Sequence, residues 1–259
     1  MKSLIRSVFE SGLLRSTGIY TVAVILNGSV MFFLLPVLTR VLTQEQYGLL
    51  SMFRVLVAFT FPFIGFYASL SRQYYEREAI HFPDYLSTCL AVILANSVVV
   101  TGVLILVGDF VSDLTAFPVQ WMWCVVLFAT GKALMQVALA MWQVQLMPVR
   151  YGIFQITQTV LMFVMAIAFV VYFEWGWLGG MWADTLSMST FGIISLYSLS
   201  KEGWLRARFN MTYARDILAF NGPLIFHSVS RGIITMSDRV FITSMVGLSE
   251  TGLYSAGYQ

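Results

Sequence analysis

The sequence predicts an all-α polytopic membrane protein, a helical bundle of seven spans with the start of an eighth. Three observations carry this. The chain of 259 residues is 58% hydrophobic and only 11% charged, whereas charged residues approach a quarter of a soluble domain. Apolar runs of about 20 residues, the length a helix needs to cross a bilayer, recur from one end to the other. The basic residues between those runs fall almost entirely in alternate loops.

Taken in order, residues 1–16 set Leu4, Ile5, Val8 and Phe9 at helical spacing beside Lys2, Arg6 and Arg15. That pattern predicts a short interfacial helix on a membrane face. The first apolar run begins near Gly18 and lasts to about Leu38. It is too long for the core of a signal peptide, so it is expected to remain as a span. Further runs cover 49–70, 87–108, 119–141, 152–173, 177–198 and 217–246, and an eighth begins near Thr251 and stops at Gln259. Helices are expected throughout, because a spanning segment must satisfy its own backbone groups in lipid. Six spans thus occupy 17–199, a basic linker covers 200–216, and 217–259 opens a second group. A chain stopping a few residues into a span is expected to be a fragment or a truncation.

Charge sets the expected orientation. Lys2, Arg6, Arg15, Arg72, Arg77, Arg150, Lys201, Arg206, Arg208 and Arg215 lie on one side, and Arg40 alone on the other, beside Asp109, Asp113, Glu174 and Glu250. The positive-inside rule then places the N-terminus in the cytoplasm. The linker also carries Trp204, Leu205, Phe209 and Tyr213, which suits a segment lying along the interface.

Enzyme signatures are missing: the chain has no Walker-type loop, HExxH, GxSxG or DxD pair. No enzymatic activity, cofactor, metal or nucleic-acid partner is expected; the lipid bilayer is. Cys89 and Cys124 sit in apolar runs as inert thiols. Gly179-Gly180, between Leu178 and Met181, reads as close helix packing rather than a phosphate loop.

The ionisable residues inside spans are the functional signal, since a charge at the bilayer centre costs about 2.5–3.5 kcal/mol or more. On the seventh run, with Arg231 at zero, His227, Thr235, Asp238 and Arg239 fall at about −40°, +40°, −20° and +80°, one side of a helix. Arg231 lies about 15 residues, or roughly 22 Å, from the basic end of its span. Lys132, Gln136 and Gln143 form a second stripe within about 40°. Arg54 lies roughly 9 Å inside the outer end of its span, within snorkelling reach of the interface.

Arg231, Lys132, Gln136, Arg54 and His227 are therefore the candidate lumen residues, and Lys132 and Arg231 are expected to face each other. Asp184, followed by Thr185, Ser187, Ser189 and Thr190, is read as a counter-ion to Lys132 or Arg231, or as a titrating or cation-coupled site. A purely structural pair stays open. Asp238 is grouped with it, although an Asp-Arg dipeptide near a helix end more often ties neighbouring helices together. Pro223 removes a backbone donor and is a candidate hinge. Deep cations outnumber deep acids, which suits an anionic substrate such as a phosphate or pyrophosphate head group.

FFLLPVLTRVLTQEQYGLLSMF (32–53), RQYYE (72–76), DYLST (84–88) and FNGPLI…SDRVFI…GLSETGLYSAGY (220–258) resemble bacterial polysaccharide-unit flippases of the Wzx type. Those belong to the multidrug/oligosaccharidyl-lipid/polysaccharide exporter superfamily. The resemblance implies two pseudo-symmetric lobes of six helices, the chain holding the first and the opening of the second. It implies passage of an oligosaccharide linked to undecaprenyl pyrophosphate across the bacterial cytoplasmic membrane, driven by a proton or sodium gradient. A polysaccharide polymerase and other assembly proteins are the implied partners. No individual residue is carried over from the family. A drug/cation antiporter, a peptidoglycan-precursor flippase and a non-transporting scaffold of an assembly complex remain as alternatives.

Overall fold

Thr43 marks the first boundary in the bundle. Its side-chain oxygen accepts from the Gln46 amide at 3.2 Å while Gln46 Oε1 accepts from the Thr43 amide at 3.4 Å. This capping box satisfies two orphan donors and starts a new helix. The computed structural model describes residues 12–77, 80–206 and 208–258. Among them the elements are α1 (Gly12–Val41), α2 (Gln44–Ile64), α3 (Ser69–Tyr75), α4 (Phe82–Thr115) and α5 (Met122–Val144). They continue with α6 (Pro148–Ile167, prolonged by a π turn, Ala168–Tyr172), α7 (Trp177–Lys201), α8 (Met211–Met245) and α9 (Leu248–Gly257).

Among the described residues five stretches are long and apolar enough to cross a membrane: Gln44–Tyr75, Phe82–Thr115, Val119–Val144, Pro148–Tyr172 and Met211–Met245. The chain is an all-helical, multi-pass membrane protein. α1 and α7, at 30 and 25 residues, pack into the same bundle.

Three boundaries differ from the expectation. Residues 1–11 of the expected interfacial helix lie outside the described residues, and from Gly12 the chain is already part of α1. The run 49–70 is two helices, since α2 stops at Ile64 and α3 starts at Ser69. Hydropathy is blind to this break because its residues stay apolar. The freed backbone groups find partners inside the protein: Phe66 O accepts from Cys89 Sγ at 3.1 Å, and Ala68 N donates to Asn221 Oδ1 at 3.1 Å. Without such partners a broken helix would be costly in lipid. Third, helix takes both ends of the linker 200–216, leaving 202–210 between α7 and α8. That segment is pinned to the start of α4 by Arg206 N donating to Ser87 Oγ (2.8 Å) and Asn210 N to Thr88 Oγ1 (3.2 Å).

The centre of the bundle is α5, which packs against α2, α3, α4, α6 and α7. Small residues allow its tightest crossing: a Cβ on Gly131 would lie 2.8 Å from the Met188 backbone. Gly179 does the same against Phe169, so the Gly179-Gly180 pair is a packing feature as the sequence predicts.

One helix–turn–helix recurs. Val41 and Met245, the ends of α1 and α8, are 204 residues apart, as are Gln44 and Leu248, the starts of α2 and α9. Gly18, Gly28, Thr39, Gly48, Leu49 and Ser51 have identical residues at the same spacing in Gly222, Gly232, Thr243, Gly252, Leu253 and Ser255. The two copies touch at equivalent points, Ser51 Oγ lying 2.7 Å from Ser255 Oγ.

Candidate functional site

Among the described residues the buried apolar side chains form two clusters. One runs from Leu34 through Phe53 and Val57 to Met181, and the other from Ile64 through Tyr85 and Trp142 to Phe191. Between them lies a pocket of about 350 Å³, bounded by α2, α5, α6, α7 and Met236 of α8. Its polar wall is Arg54, Lys132, Gln158, Thr159, Asp184 and Ser187.

Arg54 donates through Nε to Asp184 Oδ2 at 3.2 Å. The carboxylate is nearly buried, its side chain 8% exposed, while that of Arg54 is 26% exposed toward the pocket. Asp184 thus holds one edge of the guanidinium. The backbone around it is drawn tight: Ser187 Oγ donates to Asp184 O at 3.1 Å, and Gln158 Nε2 reaches Ser187 Oγ at 3.4 Å. Lys132, half-buried on α5, holds its Nζ 4.7 Å from the centre of the Phe61 ring. Such a contact stabilises an ammonium modestly. Among the described residues no carboxylate lies within ion-pair distance of it. Two cations and one carboxylate therefore face one half-open pocket whose lining is mostly apolar, where charge–charge interactions are stronger than in water.

The structure brings together Arg54, Lys132 and Asp184 of the residues that the sequence singles out, and leaves the others elsewhere. Asp184 pairs with Arg54 rather than with Lys132 or Arg231, the two counter-ions named among its alternative readings. The reason is the close approach of α2 to α7, which hydropathy cannot reveal. Gln136 is half-buried on α5, one turn from Lys132, and does not line the pocket.

His227 and Arg231 are exposed on α8. That helix meets the bundle through Ala214, Ile217, Asn221, Gly232, Arg239 and Thr243, and the pocket through Met236. Arg231 lies about 140° around the helix from Met236, so it does not face Lys132 here. Helix α8 continues unbroken through Pro223; the backbone break lies opposite, at 65–68.

Asp238 and Arg239 tie α8 to α9. Asp238 accepts from the Tyr254 hydroxyl. Arg239, 8% exposed, donates through Nε to Ser255 Oγ at 3.2 Å and lies 5.1 Å over the Tyr258 ring.

A cluster at the basic end goes unnoticed in the sequence. Arg72 Nη2 donates to both oxygens of Asp216 (2.8 and 3.0 Å), joined by Gln73 Nε2 (3.1 Å) and the Tyr85 hydroxyl (2.8 Å). The Arg72 guanidinium also covers Phe220 at 4.7 Å. Arg72 counts toward topology when only loops are tallied; its partner lies 144 positions away.

The described residues thus form a multi-pass helical bundle with a repeated helix pair and a pocket lined by Arg54, Lys132 and Asp184. The chain belongs to the polysaccharide biosynthesis protein family, whose model matches residues 13–259. No curated protein and no solved structure gives a match.

Proposed function

We propose that the protein is a flippase, a non-enzymatic transporter that carries an oligosaccharide repeat unit on undecaprenyl pyrophosphate across the bacterial cytoplasmic membrane. The lipid-linked oligosaccharide is its cargo, and assembly proteins such as a polymerase receive it. The observation that carries this reading is Lys132: an ammonium deep in the bundle, without an ionic partner among the described residues, beside a guanidinium with one edge engaged. A cation at that depth without a carboxylate is costly; the Phe61 ring offsets part of that cost, and an anionic visitor such as a diphosphate would offset more. The basic end is cytoplasmic in this reading. Residues 17–199 form one lobe, and the repeated pair α8–α9 opens a second that faces it across the lumen. Alternating access is the mechanism, as in other transporters built from repeats; His227 and Arg231 then line the side of α8 turned toward the second lobe.

The scaffold alternative draws on the Arg54–Asp184 pair, which needs no substrate. Complementation separates the two. In a host lacking its own flippase the full-length gene should restore surface polysaccharide. Lys132→Met and Arg231→Ala should each abolish it at normal protein levels. Unchanged surface polysaccharide with Lys132→Met would sink the pocket as the substrate site.

A further inference from the structure

The charged pocket does not end at Lys132. From Gly131 to Trp142 every residue of α5 is buried except Lys132 and Gln136. A helix packed on its other sides and open only there faces a gap between its neighbours. Gln136 lies about 40° around α5 from Lys132 and about 6 Å nearer the basic end. The gap therefore continues from the pocket toward that end.

The flanking walls continue with it. On α6 the pocket-lining side chains Gln158, Thr159 and Met162 span about 100° of the helix. Gln155 and Tyr151 fall within that arc, about one and two turns nearer the basic end. On α2, Phe61 follows Arg54 and Ala58 at helical spacing, and past the break its ring meets that of Tyr67 at 6.4 Å. Tyr67 and Tyr151 stand half-buried on opposite walls, near enough to interact electrostatically. Gln155 Oε1 is buried and has no hydrogen-bond partner among the described residues. An unmet acceptor there is costly.

The chemistry of this lining differs from that around Lys132. Gln136, Gln155, Tyr67 and Tyr151 carry no charge, and each amide offers donors and an acceptor together. A phosphate has only acceptors and hydrocarbon has neither, so neither matches. Water would meet the amides but gains nothing from rings on either side. A pyranose suits both, since its hydroxyls donate and accept and its C–H faces pack on aromatic rings. We propose that this extension of the pocket is a sugar subsite holding the first, uncharged pyranose of the cargo. Gln136 and Gln155 read its hydroxyls between Tyr67 and Tyr151. The assignment rests on the flippase reading, which sets the diphosphate at Lys132. The first sugar is bonded directly to that diphosphate, and Gln136 is one helical turn away.

Binding of short-chain probes to the full-length protein tests this. Farnesyl diphosphate is compared, by calorimetry in detergent micelles, with its glycosylated forms bearing glucose, galactose or N-acetylglucosamine. At least one sugar should raise the affinity about tenfold over farnesyl diphosphate, the yield of a few neutral hydrogen bonds. Gln136→Met and Gln155→Met should each remove most of that gain and leave the farnesyl diphosphate affinity unchanged. Lys132→Met should weaken every probe alike. No gain with any sugar, while Lys132 still governs farnesyl diphosphate, would overturn the sugar subsite and retain the pocket. Glutamine variants that shift all the affinities together would make these side chains structural and overturn it as well. Failure of every probe to bind would remove the flippase reading, and this subsite with it.

Discussion

Gly48 and Gly252, equivalent positions of the repeated helix pair, meet where α2 crosses α9. Neither has room for a side chain, since a Cβ on Gly252 would overlap the Gln44 carbonyl and one on Gly48 the Leu248 carbonyl. Around the crossing, Ser51 pairs with Ser255 and Ser249 Oγ donates to Gln44 Oε1 at 2.9 Å. Small residues let the two backbones approach, and the hydroxyls join them, as in other membrane helix contacts. The two related copies are thus joined at equivalent residues.

Enlarging either glycine should therefore separate the helices. Gly48→Leu or Gly252→Leu should cost about 1–3 kcal/mol or more from overpacking, read as a lower melting temperature of the purified protein. Gly28→Leu, at a position with open space around it, should melt like the unchanged protein. Equal melting of all three would show that the crossing contributes nothing to stability.

Lys132 should behave unlike an ordinary buried charge. Removing it strands no carboxylate within ion-pair distance among the described residues, so Lys132→Met should fold at normal levels. The loss should appear in affinity for diphosphate: a charge-assisted hydrogen bond is worth about 1.5–3 kcal/mol, or roughly 10- to 100-fold in binding. Titration of the purified protein with inorganic diphosphate measures it, and Lys132→Arg should recover part of the affinity.

Arg54 and Asp184 make the opposite case. Asp184→Leu leaves a largely buried guanidinium without its counter-ion, a loss of about 3–5 kcal/mol for a fully buried pair and less here because Arg54 is 26% exposed. The double variant Arg54→Met/Asp184→Leu should recover most of that stability, since it leaves no charge behind. A double-mutant cycle on thermal stability reads the coupling, and an additive result would mean the pair is not energetically linked.

These contrasts show what a sequence exposes. Depth in an apolar run found Arg54, Lys132 and Asp184, because a bilayer penalises any charge regardless of its neighbours. Partnership stayed hidden: Arg54 and Asp184 are 130 residues apart, and only packing decides which helix adjoins which. The stripe on α8 was legible as a relative arrangement, but a helical wheel has no absolute rotation. Contacts at Gly232, Met236 and Arg239 turn that helix so that Arg231 points away from the pocket. The repeat was within reach, since Gly-Leu-x-Ser occurs at both 48–51 and 252–255. The break at 65–68 was not, because what sustains it is Asn221 from another helix.

Asp216 supplies the last contrast. An exposed salt bridge is worth about 0–1 kcal/mol, and with side chains 41% and 36% exposed Arg72 and Asp216 alone would fall in that range. The carboxylate, however, also receives Gln73 and the hydroxyl of Tyr85, a residue only 1% exposed. It fastens α8 to both α3 and α4. Asp216→Asn weakens every one of these bonds at once, whereas Arg72→Ala removes one donor and leaves two. Asp216→Asn should thus destabilise by about 1–3 kcal/mol, and Arg72→Ala by less than about 1 kcal/mol. Raising salt should screen the exposed Arg72 contribution while leaving the Tyr85 bond nearly intact. Melting curves of the two variants at low and high salt would therefore converge for Arg72→Ala and the unchanged protein, and stay apart for Asp216→Asn. Convergence of all three at high salt would reduce the cluster to a surface ion pair.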